Sequence, residues 1–100
     1  MTEDDDQALM LEKDRALGKY PISVASNLTE VPGHKLRAFE RMELIDPGRT
    51  EGGTRLYSDE ELGTIRRIAE LTGKGVNYAG VREIFKMTEG EITPSRKRNR

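Results

Sequence analysis

The sequence predicts a mostly α-helical domain carrying one small β-hairpin. Three observations carry this expectation. Two short apolar-periodic segments flank a break at residues 29–33. A glycine-rich turn over residues 50–53 leads into an alternating strand, Thr54-Arg55-Leu56-Tyr57. Directly afterwards, Ser58-Asp59-Glu60-Glu61 has the form of a capping box, with Ser58 at the N-cap and Glu61 three residues on.

In chain order, residues 7–17 are mostly good helix formers with a weak apolar stripe, and Gly18 is a plausible stop. Tyr20-Pro21-Ile22 reads as extended chain leading to Ser23 as an N-cap. Val24, Ala25 and Leu28 then share one face of a short helix. Pro32 sits near the first position of the next helix, where its missing N–H costs little. That helix is expected from His34 to Met42, with Leu36 and Phe39 facing inward and Lys35, Arg37 and Arg41 outward. Leu44-Ile45, Asp46-Pro47-Gly48 and the strand at 54–57 make the hairpin. From the capping box a helix continues through Leu62, Ile65, Ile68 and Ala69 to Gly73. Asn77 is expected to cap a last helix ending near Met87, with Ala79, Val81, Ile84 and Phe85 as its apolar residues.

The organisation expected is an acidic arm at 1–19 with a dimerisation helix, a DNA-binding unit at 20–87, and a basic disordered tail at 88–100. A chain of 100 residues with 34% hydrophobic residues supports a compact helical domain rather than a large substrate cavity. Cysteine is absent, which removes disulfides and thiolate sites, and the single histidine, His34, makes no metal site alone. No cofactor is expected. No apolar run approaches a membrane span and no signal-peptide pattern opens the sequence, so no membrane partner and a cytoplasmic, nucleoid-associated location are expected. No nucleophile–base pair, phosphate loop or metal set argues for an enzyme.

The net charge of −1 opposes nucleic-acid binding, but it averages a gradient. Residues 1–19 carry −3, residues 20–87 balance ten acids against ten bases, and residues 88–100 carry +2. Placement of positive charge matters more than its total. Two helices and a following hairpin form a winged helix-turn-helix, whose second helix is thin enough to enter a major groove about 12 Å wide. His34, Lys35, Arg37 and Arg41 decorate that helix. Arg37 is the candidate for base edges or phosphates, and Lys35 and Arg41 for phosphates. The wing offers Arg49, Gly53 and Arg55, where glycine lets the backbone approach phosphate, and Tyr57 adds a hydroxyl. The alternative is a small helical protein-interaction adaptor using the same basic face. Without the wing, Arg37 and Arg41 read as a solvated i, i+4 pair. Tyr57 and Phe39 also suit a core.

The stretches Pro21-Ile22-Ser23-Val24-Ala25, Leu36-Arg37-Ala38-Phe39-Glu40-Arg41 and Arg49-Thr50-Glu51-Gly52-Gly53-Thr54-Arg55-Leu56-Tyr57-Ser58 resemble the DNA-binding domain of MerR-family transcriptional regulators. The resemblance covers about residues 20–87. Gly75-Val76-Asn77-x-Ala79-Gly80-Val81 is similar to the heat-shock repressor branch, with a related turn in the glutamine-synthetase repressor branch. The Gly52-Gly53-Thr54-Arg55 wing favours the former. The resemblance implies a repressor that works as a homodimer on an inverted repeat of double-stranded DNA, with Arg37, Arg49, Arg55 and Tyr57 as contacts. For the heat-shock branch it also implies a chaperone co-repressor. Three features depart from the family pattern. Ala38 replaces a common aromatic. Pro32-Gly33 replaces polar helix-starting residues. The segment after Met87, broken by Gly90 and Pro94, is not expected to supply the family's long dimerisation helix. Leu9, Met10, Leu11 and Leu17 are the substitute dimer contacts expected.

Overall fold

The structure is a computed structural model, and it describes residues 14–88. Residues 14–16 are helical, and the chain bends at Leu17. It then runs through β1 (Gly18–Tyr20), α1 (Ile22–Thr29), α2 (Gly33–Arg41), β2 (Gly48–Arg49), β3 (Arg55–Ser58), α3 (Asp59–Gly73) and α4 (Tyr78–Met87). The three strands form one antiparallel sheet in the order β1-β3-β2.

The strand β1 is the main feature the sequence reading missed. Gly18 was expected to stop a helix. It instead pairs with Ser58, and Tyr20 pairs with Tyr57. A three-residue strand is too short to show alternation, so it left no periodic signal. Glycine is needed at this position: a Cβ there would stand 2.7 Å from the Leu56 carbonyl oxygen, which is backbone and cannot swing aside. Gly18→Ala is therefore expected to cost about 1–3 kcal/mol of stability by pushing β1 off β3. A urea melt that superimposes on the unaltered protein's would show that β1 shifts without cost.

The helix starts need smaller corrections. The N-cap of α1 is Pro21, not Ser23, and its side chain makes no capping bond. Pro32 likewise stands at the N-cap of α2, one residue before the position expected, and the helix begins at Gly33 rather than His34. Proline suits both places because its fixed φ matches the observed −61° and −58°. At the far end of α1, Glu30 takes the left-handed conformation (φ 61°) and its N–H donates to the Ser26 carbonyl. The end of α2 turns on Glu43 (φ 63°), after which the Leu44 N–H reaches back to the Phe39 carbonyl at 2.9 Å. This reversal drops Leu44 and Ile45 into the core.

The capping box at α3 forms as expected. Glu61 N–H donates to Ser58 Oγ at 3.0 Å, and Ser58 N–H donates to Glu61 Oε1 at 3.1 Å. Glu61 also accepts from the Asp46 N–H at 3.2 Å, so one carboxylate fastens the start of α3 to the loop before β2. Burial raises the Glu61 pKa, while the two backbone N–H bonds pull it back. Asn77 caps α4 as expected, accepting from the Gly80 N–H at 2.8 Å. Ala79, expected on the apolar face of α4, is exposed.

One core joins all the layers. Ala25, Leu36, Phe39, Ile45, Tyr57, Ile65, Ile68 and Val81 are essentially inaccessible to solvent. Phe39 meets Tyr78 edge-on, with ring centroids 5.8 Å apart at 83°. Arg82 of α4 donates to the Met42 carbonyl at the end of α2, and Arg66 of α3 donates to the Leu28 carbonyl at 3.2 Å. The α1–α2 pair is thus held from behind by both later helices. Among the described residues, no helix is long and apolar enough to cross a membrane.

Candidate nucleic-acid interface

Burial of Leu36 and Phe39 fixes the rotation of α2, because residues three apart share a helix face. His34, Lys35, Arg37 and Arg41 are consequently exposed. None of the four side chains makes a hydrogen bond or ion pair with a described residue. The Arg37 side chain leans toward the helix start: its Nη1 lies 3.8 Å from where a Cβ on Gly33 would stand. These four positively charged or polar groups are the structure's open basic surface on α2.

The wing behaves differently. Residues 50–54 turn between β2 and β3, closed by Gly53 N–H to the Thr50 carbonyl and Thr50 N–H to the Thr54 carbonyl, both at 2.9 Å. Gly53 has φ 90°, which strongly favours glycine there. The expected strand residue Thr54 falls in this turn, and β3 begins at Arg55. Arg49 and Arg55 both reach Glu40 on α2. Arg49 Nη2 lies 2.9 Å from Glu40 Oε2, and Arg55 Nε lies 2.5 Å from Glu40 Oε1. Arg49 also donates from Nη1 to the Gly53 carbonyl at 2.9 Å. The bond to Glu40 raises the Arg55 pKa, so its charge is secure. The wing arginines, expected as DNA contacts, are therefore ion-paired with Glu40.

Tyr57 requires a correction. It was expected to offer a hydroxyl to DNA, yet it is wholly buried. It lies between Leu56 and Ser58 in the inner half of β3, where its ring joins the core, and burial raises its phenol pKa. The Tyr57 hydroxyl has no hydrogen-bond partner among the described residues. Removing an unsatisfied buried hydroxyl is close to neutral or stabilising. Tyr57→Phe is thus expected to change stability by less than about 1 kcal/mol and to leave DNA affinity unchanged. A loss of affinity in a binding titration with a melt that stays put would return the hydroxyl to the contact set.

Of the dimer contacts expected, Leu9, Met10 and Leu11 lie outside the described residues. Leu17 is 59% exposed. Next to it, Lys19 bridges Asp14 at 3.0 Å and Asp59 at 2.8 Å, and the Tyr20 hydroxyl donates to Asp59 at 2.6 Å. The Lys19 and Tyr20 bonds hold the Asp59 carboxyl below its usual range, and they raise the pKa values of both donors. This cluster fastens β1 to the first turn of α3.

Sequence reasoning passed over Glu40, Arg82 and Lys19. Glu40 lies four residues after Leu36, on the flank of the face that Leu36 and Phe39 bury. Its signal was an acid on the helix's inner flank, opposite two arginines six residues apart in the hairpin.

Comparison with known proteins agrees with this geometry. The family model described as "MerR HTH family regulatory protein" matches residues 20–88. The HTH-type transcriptional regulator GlnR of Bacillus anthracis is 30% identical over 82 residues, covering 82% of this chain and 64% of that protein. The chain thus spans a little under two thirds of that relative's length. The putative heat shock protein HspR of Streptomyces coelicolor is 35% identical over 69 residues, covering 68% of this chain and 46% of that protein. The heat-shock branch suggested by the sequence is therefore represented among the relatives. In fold, the chain is similar to HiNmlR, described as a MerR family regulator lacking the sensor domain and bound to promoter DNA. The TM-score is 0.61 at 21% identity, over 69% of this chain and 56% of that one. The winged helix-turn-helix frame and the family match lead to one assignment: the chain belongs to the MerR family of helix-turn-helix regulatory proteins.

Proposed function

We propose that this chain is a sequence-specific DNA-binding transcriptional regulator, a repressor that acts as a dimer on an inverted repeat, and not an enzyme. One observation carries the reading. The exposed face of α2 presents His34, Lys35, Arg37 and Arg41 without partners among the described residues, while its other face is locked by Leu36 and Phe39. A rigid helix with an unpaired basic face beside a hairpin suits a major groove with flanking phosphates. Relatives named as HTH-type transcriptional regulators, and a fold neighbour described as bound to promoter DNA, support it.

Selection of bound duplexes from a random pool tests it. A palindromic consensus is the expected result, with half-sites about one helical turn apart. A pool that shows no enrichment removes the reading. The dimer is assigned to Leu9, Met10, Leu11 and Leu17. Removing residues 1–16 leaves β1 whole and is expected to give a monomer in sedimentation. A truncated chain that still sediments as a dimer excludes the arm as the interface.

A further inference from the structure

We propose that Glu40 is a positioning residue for the wing, holding Arg49 and Arg55 in the DNA-free protein and releasing only Arg49 to a backbone phosphate when DNA binds. This rests on the DNA-binding reading above, but its first half concerns the protein alone. Arg49 and Arg55 are direct partners across β2 and β3. Like charges directly opposite one another destabilise a strand pair. Only two residue pairs join β2 to β3, so the backbone gives little to resist that repulsion. Glu40 relieves it by setting one carboxylate oxygen on each guanidinium, at 2.9 and 2.5 Å. Since Glu40 sits near the end of α2, the same contact fixes the wing against the helix that carries the open basic face.

The two arginines are not equivalent. The Arg49 side chain is 43% exposed, against 29% for Arg55 and 21% for Glu40. Arg49 is the outer member, within reach of solvent. A phosphate oxygen can take the place of a carboxylate oxygen on a guanidinium with the same geometry. Arg55, closer to Glu40 and more enclosed, remains as the brace.

The test uses the full chain and a charge-matched control. Glu40→Gln and Glu51→Gln each remove one negative charge from the wing region, but only the first frees the arginines. In the DNA-free protein, Glu40→Gln is expected to speed hydrogen exchange at the Thr50 and Gly53 amides, with the Ile65 and Ile68 amides still protected. Glu51→Gln is expected to leave the wing amides as they were. Equal exchange in the two variants overturns the clamp. With a bound duplex, Arg49→Gln is expected to lower the slope of log K against log salt by about 0.9, and Arg55→Gln to leave it nearly unchanged. Equal drops for both arginines overturn the asymmetry. Glu40→Gln is also expected to lose several-fold in preference for the specific over a random duplex, while Glu51→Gln keeps it. If the unaltered protein binds no duplex, the functional reading and the release step fail together, and the exchange rates still decide the clamp.

Discussion

Phe39→Ala is expected to lower the unfolding free energy by about 3–5 kcal/mol, the largest effect of any single truncation considered for this domain. Phe39 is 1% exposed and its ring edge meets Tyr78. It also lines a cleft of about 260 Å³ shared by Pro32, Lys35, Ala69, Thr72 and Tyr78. Shortening it would join the lost side-chain volume to that cleft and remove the ring edge that Tyr78 packs against. A small domain has about 5–15 kcal/mol to lose, so the variant gives up a large share of its stability. Urea melts followed by circular dichroism would measure the loss. A loss under about 1.5 kcal/mol would show that Tyr78 swings in to fill the space. Because Phe39 sets the rotation of α2, DNA binding should fall in parallel with the folded fraction.

Arg37→Ala should act in the opposite way, with the fold intact and specificity lost. Arg37 is exposed and unpaired among the described residues, so its removal leaves no buried group unsatisfied. If it reads a base edge, specific affinity falls by about 1–3 kcal/mol while binding to random duplex changes little. Competition titrations against specific and random duplexes separate the two. A variant that weakens both equally makes Arg37 a phosphate contact. Lys35→Ala provides the comparison, since a phosphate-binding lysine should lower affinity for every sequence and reduce the salt slope by about 0.9.

The parts of this fold that were legible in the sequence are those whose signal is local. Ser58 and Glu61 announce α3 because both halves of a capping box lie within four residues. Asn77 announces α4 for the same reason. The inward turn of Leu36 and Phe39 follows from helix periodicity, and with it the outward turn of the basic residues of α2. The parts that were not legible depend on distant partners. Gly18 is a strand residue only because β3 runs beside it, forty residues later. Tyr57 looked equally suited to core and contact until the sheet set its face. Arg49 and Arg55 looked free until α2 brought Glu40 between them, and no spacing rule links a helix acid to hairpin bases. Composition gave the charges of the site correctly but could not say which were already neutralised.

The order β1-β3-β2 places the incoming chain and the wing on opposite edges of one strand. The two edges are about 10 Å apart, two strand spacings. Mechanically they are in series: a tug on the residues leading into Gly18 loads β3, and β3 carries the wing. The Lys19 and Tyr20 bonds to Asp59 anchor β1 to the first turn of α3, acting as the fulcrum. The leading segment is therefore a handle whose leverage falls on the wing's tilt, at a distance from the helix that would read the bases.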